Sequence, residues 1–186
     1  MPPKVRITKQ EIVNTAVQLV RENGEVGINA RIIASRLGCS TQPIFWNFSS
    51  MDELRLSVIE KANELCESYI KKEIESKSYP SYKASGMAYI RFAKEEKELF
   101  KLLYMRDRTG ETLPEEMELT DGMKQIIHSS TGLDGENLQL FHLEMWAYVH
   151  GIAVMFASGF VNLEWELVSK MLTDAYQGLK KQYKTE

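Results

Sequence analysis

The sequence is poor in the residues that make turns. Eleven glycines and five prolines in 186 positions leave too few breaks for a chain of short strands. Its two cysteines, Cys39 and Cys66, stand at no metal-ligand or redox spacing, so they read as reduced thiols of a cytoplasmic protein. No apolar run reaches the ~18 residues that a membrane span needs. The opening MPPKVRITKQE lacks the apolar stretch of a signal peptide, so no membrane partner is expected. Nor is there a basic excess: 23 Lys and Arg against 26 Asp and Glu give −3, a sum that does not suggest a nucleic-acid binder. Alternating strand patterns, low-complexity tracts and internal repeats are missing too.

What is present favours helices, because Leu, Ile, Glu, Lys, Met and Ala dominate. The charge is also unevenly placed. Residues 1–48 carry +3 and the remainder −6, which suits a small polyanion-binding head on a larger acidic body.

Thr8 and Glu11 form a capping box that opens a first helix, and Ile12, Ala16, Leu19 and Val20 give it an apolar face. Asn23-Gly24 is expected to end it by a left-handed C-cap. A short second helix covers about Asn29 to Leu37, with Ile32, Ile33 and Leu37 inward, and stops at Gly38. Ser40 is expected to cap a third helix, where Pro43 is tolerated in the first turn and Ile44 and Phe48 face inward. Ser50 and Glu53 form a second capping box for a long fourth helix striped by Leu54, Val58, Ala62, Leu65 and Tyr69, ending before Pro80. Further helices are expected over 81–95, 96–107, 115–130, 135–159 and 163–183, with breaks at Thr109-Gly110, Pro114, Thr131-Gly132 and Ser158-Gly159. The class is all-α, with about nine helices.

Helix, a three-residue turn holding Gly38, then a short helix is the helix-turn-helix arrangement, whose second helix enters the major groove. Thr41, Gln42, Phe45, Trp46 and Asn47 are its expected solvent-facing side chains. Gln42 and Asn47 can pair with adenine, while Thr41 and the aromatic edges can touch thymine methyls. Phosphate contacts are expected from Arg6, Lys9, Asn29 and Arg31, with Ser40 and the amides at Ser50 and Met51 at helix starts. Arg36 reads as part of a solvated helix face.

The segment from Ile7 to Leu54 resembles the DNA-binding domain of the TetR family. The landmarks are Ile12, Ala16, Gly24, Ile28, Ile33-Ala34, Leu37-Gly38, Ser40, Phe45, Phe48 and Leu54, in order. The resemblance implies a head over residues 1–52 and a helical effector-binding and dimerisation domain over 53–186. It implies a homodimer on a palindromic double-stranded DNA operator, usually as a repressor released by a small effector. Three positions depart from the family pattern. Phe45 stands where tyrosine is usual, Asn47 where histidine or tyrosine is common, and Met51 where lysine is common. Each departure removes a phosphate contact, so weaker or less salt-dependent binding is expected.

In the larger domain, LEMWAYVHGIAVMFA is apolar nearly all round, with Glu144 and His150 its only ionisable side chains. Such a helix must be covered on both sides, by an internal cavity and by a subunit interface. In the last helix Val168, Leu172, Ala175 and Leu179 recur at 4-3-4 spacing, with Trp165 and Tyr176 beside them. The resemblance implies that the last two helices of each subunit pair in a four-helix bundle. These residues, with Ala147, Gly151 and Val154, are therefore the expected dimer interface. A mainly apolar effector is expected in a pocket lined by Tyr89, Phe92, Phe100, Leu103, Tyr104, Met145, Trp146, Val149, His150 and Met155. Tyr89, Tyr104 and His150 are its polar anchors.

No catalytic residue, cofactor or metal is expected. His128, His142 and His150 make no recognised metal spacing, Cys66 has no neighbouring base, and no glycine-rich phosphate loop follows a strand. The rival reading is a helical dimeric interaction module that has lost specific DNA binding.

Overall fold

The structure is a computed structural model that describes residues 7–106 and 119–183, and within them every regular element is helical. The expected breaks at Thr109-Gly110 and Pro114, and Arg6, lie outside the described residues, whereas the helix expected over 115–130 starts later, at Asp121, because Thr120 caps it there. The chain packs as two compact units.

The first unit holds the described residues up to Glu67 together with Glu96–Arg106. Helix α1 (Lys9–Asn23) opens with the capping box between Thr8 and Glu11 and buries Ile12, Ala16, Leu19 and Val20. Gly24 ends it at φ 72°, ψ −163°, a region open to glycine. That ψ lies far from the left-handed helical value, so the expected C-cap is replaced by a 3₁₀ turn, Gly24–Gly27. At Gly27 the turn passes so close to α1 that a Cβ would sit 2.6 Å from the Leu19 carbonyl oxygen. Helix α2 (Ala30–Arg36) is capped by Asn29, whose side-chain Oδ1 accepts from the backbone N–H groups of Arg31 and Ile32. It buries Ile33 and Ala34, whereas Ile32, expected inside, is 41% exposed. Helix α3 (Gln42–Asn47) starts from Thr41, without a side-chain cap, so Ser40 does not cap it.

Helix α4 (Met51–Ser76) begins in the first unit and crosses into the second after Glu67. Leu54, Val58 and Ala62 are buried as expected, but the stripe continues at Cys66, and Leu65 and Tyr69 are only half-buried. Helix α6 (Lys97–Tyr104) belongs to the first unit, packing on α1 and the 3₁₀ turn. Glu96 accepts two bonds of 2.7 Å from Arg21 at that join.

The second unit is built from the end of α4, α5 (Ser81–Glu95), α7 (Asp121–Thr131), α8 (Gly135–Ser158) and α9 (Trp165–Gln182). Gly132 and Gly159 end α7 and α8 in the left-handed conformation, as their dipeptides predict. Helix α5 is the centre: it packs on α7, α8 and α9 and buries Tyr82, Met87, Tyr89, Ile90 and Phe92. Tyr82, Ile127, Leu138, Phe141 and Met145 form one apolar cluster, with Ala175, Tyr176 and Leu179 against it.

Helix α8 corrects the reading of apolar runs. It is long and apolar enough by composition to cross a membrane, but its window also packs on α5, α7 and α9. A helix of a helical bundle meets the same test. Only 39% of that window is buried within the chain.

Candidate nucleic-acid interface and ligand residues

Helix α2, a turn with Gly38 at φ 66°, and α3 form the helix-turn-helix. On α3, Ile44 and Phe48 are buried, and the opposite side presents Gln42, Phe45 and Trp46 to solvent, the two rings 51% and 77% exposed. Thr41 is half-buried and Ser40 exposed. Asn47, expected to face solvent, is half-buried. Its Nδ2 donates to the Pro43 carbonyl at 2.7 Å and to the Ile7 carbonyl at 3.4 Å. It closes the end of α3 onto the start of the chain.

The cations around this face are mostly neutralised. Lys9 Nζ lies 3.1 Å from Glu53 Oε1 and over the Phe48 ring. Arg36 pairs with Glu22 through two bonds, Arg55 with Glu25, and Arg21 with Glu96. Arg31, exposed at the start of α2, makes no ion pair among the described residues. Beside it, Leu19, Arg31, Ile32, Ser35 and Arg36 line an open surface depression of about 530 Å³.

At the start of α4, Ser50 Oγ accepts from the Glu53 N–H at 3.1 Å. Glu53 reaches one residue further back than the expected box. It accepts from the Ser49 N–H at 2.7 Å and the Ser49 hydroxyl at 2.8 Å. Those two bonds and Lys9 hold its carboxyl down at about 2. Met51 is half-buried there. Spacing in the sequence does not reveal the roles of Glu53, Glu22 and Glu25, because each pairing is made by tertiary packing. Glu53, for instance, is 44 residues from Lys9.

The expected effector residues divide between the two units. Phe100, Leu103 and Tyr104 lie on α6 in the first unit, Phe100 and Leu103 fully buried. Tyr104 donates to the Cys66 sulfur at 3.8 Å. In the second unit, Tyr89 Oη and His150 Nδ1 are 3.0 Å apart, and Trp146 stacks on the imidazole at 4.7 Å and 11°. Tyr89, Phe92, Met145 and Val149 are buried, Met145 in the cluster with Phe141, while Met155 is 39% exposed. Two turns before His150's pair, Tyr82 Oη and His142 Nδ1 repeat the arrangement at 3.0 Å. The spacing of seven on α5 and eight on α8 is the signal that could have found His142. Burial lowers both imidazoles below their ordinary value.

The interface set is corrected in α9. Val168 and Leu172 are buried in their own unit, and Ala175, Tyr176 and Leu179 pack on the cluster around Phe141. Trp165 is half-buried, with the Arg91 guanidinium 4.8 Å from its ring centre. The exposed apolar residue of α9 is Leu167, one position along, with Met171 half-buried. On α8, Ala147 is exposed and Gly151 and Val154 are half-buried. Leu140 and Leu143, not among the expected residues, extend the same face at 49% and 44% exposure.

None of the curated proteins matches the chain. Among solved structures, a TetR-like transcriptional regulator from Rhodococcus sp. RHA1 is 16% identical. It covers 96% of this chain and 98% of its own, with a TM-score of 0.68. A protein of unknown function from the same organism is 18% identical and covers 97% of both chains at 0.72. Identities this low speak for the shared all-helical fold. The family model for the tetracyclin repressor-like C-terminal domain matches residues 82–175, half of the chain. With a helix-turn-helix head and this second domain, the chain belongs to the TetR family of transcriptional regulators.

Proposed function

We propose that this protein is a cytoplasmic repressor that binds a palindromic operator as a homodimer and is released by a small, mainly apolar effector. The observation that carries the reading is the exposed side of α3. A short helix after a glycine turn holds Gln42, Phe45 and Trp46 outward while Ile44 and Phe48 anchor it, the form in which a recognition helix enters the major groove. DNA contacts are assigned to these residues with Thr41, Ser40, Lys9, Asn29, Arg31 and Met51. Asn47 serves by holding α3 in place.

Dimerisation is supported by α8, which leaves Leu140, Leu143 and Ala147 uncovered on one side. Such a face is covered by a second copy in a dimer, and two recognition helices spaced along the duplex read an inverted repeat. For the effector, Tyr89, Trp146 and His150 supply aromatic surface with polar atoms, the chemistry that holds an apolar molecule with one or two polar groups. Helix α4 is continuous across both units, and a coupling of ~1–3 kcal/mol through it corresponds to 5–150-fold in operator affinity.

A second reading, a helical dimeric module without specific DNA binding, is favoured by the ion pairs that occupy Lys9, Arg21, Arg36 and Arg55. Selection of duplexes from random sequence by the purified protein, with affinity at two salt concentrations, separates the two. Enrichment of an inverted repeat supports the repressor. No enrichment and no salt-sensitive binding to bulk DNA overturns it in favour of the module.

A further inference from the structure

The exposed side of α3 is uncharged and largely apolar. Gln42, Phe45 and Trp46 stand at i, i+3 and i+4, so they share one side of the helix. Asn47 is turned away by its bonds to the Pro43 and Ile7 carbonyls. What remains outside is one carboxamide beside two aromatic rings, 51% and 77% exposed.

This composition restricts what the helix can read. The commonest specific contact, Arg or Lys to the O6 and N7 of guanine, has no counterpart in QPIFWN, which holds neither residue. Gln42 can make the two bonds that suit adenine N6 and N7. The aromatic rings have one apolar partner on unmodified base edges in the major groove, the C5-methyl of thymine. Large rings held out in water on the face that meets the duplex gain most where they cover such a group.

We propose that Trp46 and Phe45 are specificity-determining residues that read the operator half-site through thymine methyl groups, with Gln42 pairing a neighbouring adenine. The proposal rests on the DNA-binding reading above and names the chemistry of that site. Its half-site is rich in A·T pairs, and the methyl groups, beyond the hydrogen-bonding edges, set its affinity.

The test uses the full-length protein and a duplex enriched from a random library. Each thymine is replaced in turn by uracil, which keeps every hydrogen-bonding group and removes only the methyl. Affinity is expected to fall about fourfold at each contacted thymine, the worth of one buried CH₂. Trp46→Ala is expected to abolish that difference at one thymine, and Phe45→Ala at another. Both side chains are mostly in solvent, and circular dichroism checks that both variants fold. Enrichment of a sequence whose affinity ignores uracil overturns the proposal and leaves the regulator standing. An equal loss for Trp46→Ala on thymine and uracil duplexes also overturns it, placing the ring on the sugar-phosphate backbone. No enrichment of any duplex overturns both readings and assigns the aromatic face to a protein partner.

Discussion

Lys9 Nζ and Glu53 Oε1 meet at 3.1 Å across 44 residues of sequence, between the start of α1 and the start of α4. The same carboxylate takes the Ser49 N–H, so one acidic group engages both a cation and a backbone donor, groups of the kind that bind phosphate. Glu53→Gln keeps an oxygen for Ser49 and frees the charge on Lys9. Operator affinity is expected to rise at low salt, and the slope of log affinity against log salt to steepen by about 0.9, one additional phosphate contact. Fluorescence anisotropy over a salt series reads this. An unchanged slope would mean that Lys9 does not face the duplex.

Gly27 is expected to tolerate no side chain. Its Cβ would lie 2.6 Å from the Leu19 carbonyl oxygen and 2.7 Å from the carbonyl carbon, and backbone inside a helix cannot yield as a side chain can. Gly27→Ala should lower stability by about 1–3 kcal/mol, the range for overpacking. Urea denaturation measures it. A midpoint equal to that of the parent would show that the turn shifts freely.

The half-buried histidines of the two Tyr–His pairs are expected to make the second unit sensitive to acid. Burial lowers the His142 and His150 imidazoles, so between the lowered values and the ordinary value near 6.5 the folded chain binds fewer protons than the unfolded one. Their contribution is therefore fully present above pH ~6.5 and is lost as pH falls through the lowered values. Melting temperature should drop from pH 7.5 to 5.5. The paired variant His142→Asn and His150→Asn, whose carbonyls can still accept from the phenols of Tyr82 and Tyr89, should show a smaller drop. Equal drops in both proteins would assign the effect to other groups.

Ala147 lies on the uncovered side of α8, with Leu143 one turn and Leu140 two turns before it. Because it is exposed in the single chain, Ala147→Glu should leave the helical fold intact while burying a charge in any dimer that uses this face. Sedimentation is expected to show a dimer for the parent and a monomer for the variant. Operator affinity should fall with it, since two half-sites are then bound separately. A variant that remains dimeric would move the interface elsewhere.

Much of the fold follows from local chemistry. Thr8 with Glu11 and Gly132 and Gly159 act within one turn of themselves, so sequence spacing places these helix ends within a residue or two. Helix α5 falls on Ser81–Glu95 as its periodicity predicts. Where a glycine has neighbours that are distant in sequence, spacing is insufficient. Gly24 adopts a positive φ but leads into a 3₁₀ turn, because Gly27 must close against Leu19.

The side on which a half-apolar helix faces is a second such limit. Val168 and Leu172 recur at the spacing of an interface, yet they fill the interior, and Leu167 is the residue left outside. A helical stripe records that a face is covered, and the covering partner is decided by packing. The same holds for Ile32 on α2 and for the chain of buried residues that reaches Cys66 instead of Leu65.

By itself, the sequence determined that this chain is helical, where most of its helices start and stop, and that its first fifty residues carry a helix-turn-helix, because capping, periodicity and turn chemistry act over a few residues. Tertiary structure alone decided that Glu53 neutralises Lys9, that Asn47 serves α3 rather than solvent, that α6 packs with α1, and that Tyr82 and Tyr89 each meet a histidine of α8. Those side-chain pairings join residues 40 to 61 positions apart or set one side chain against two possible surfaces, and only the close packing of whole helices selects among such partners.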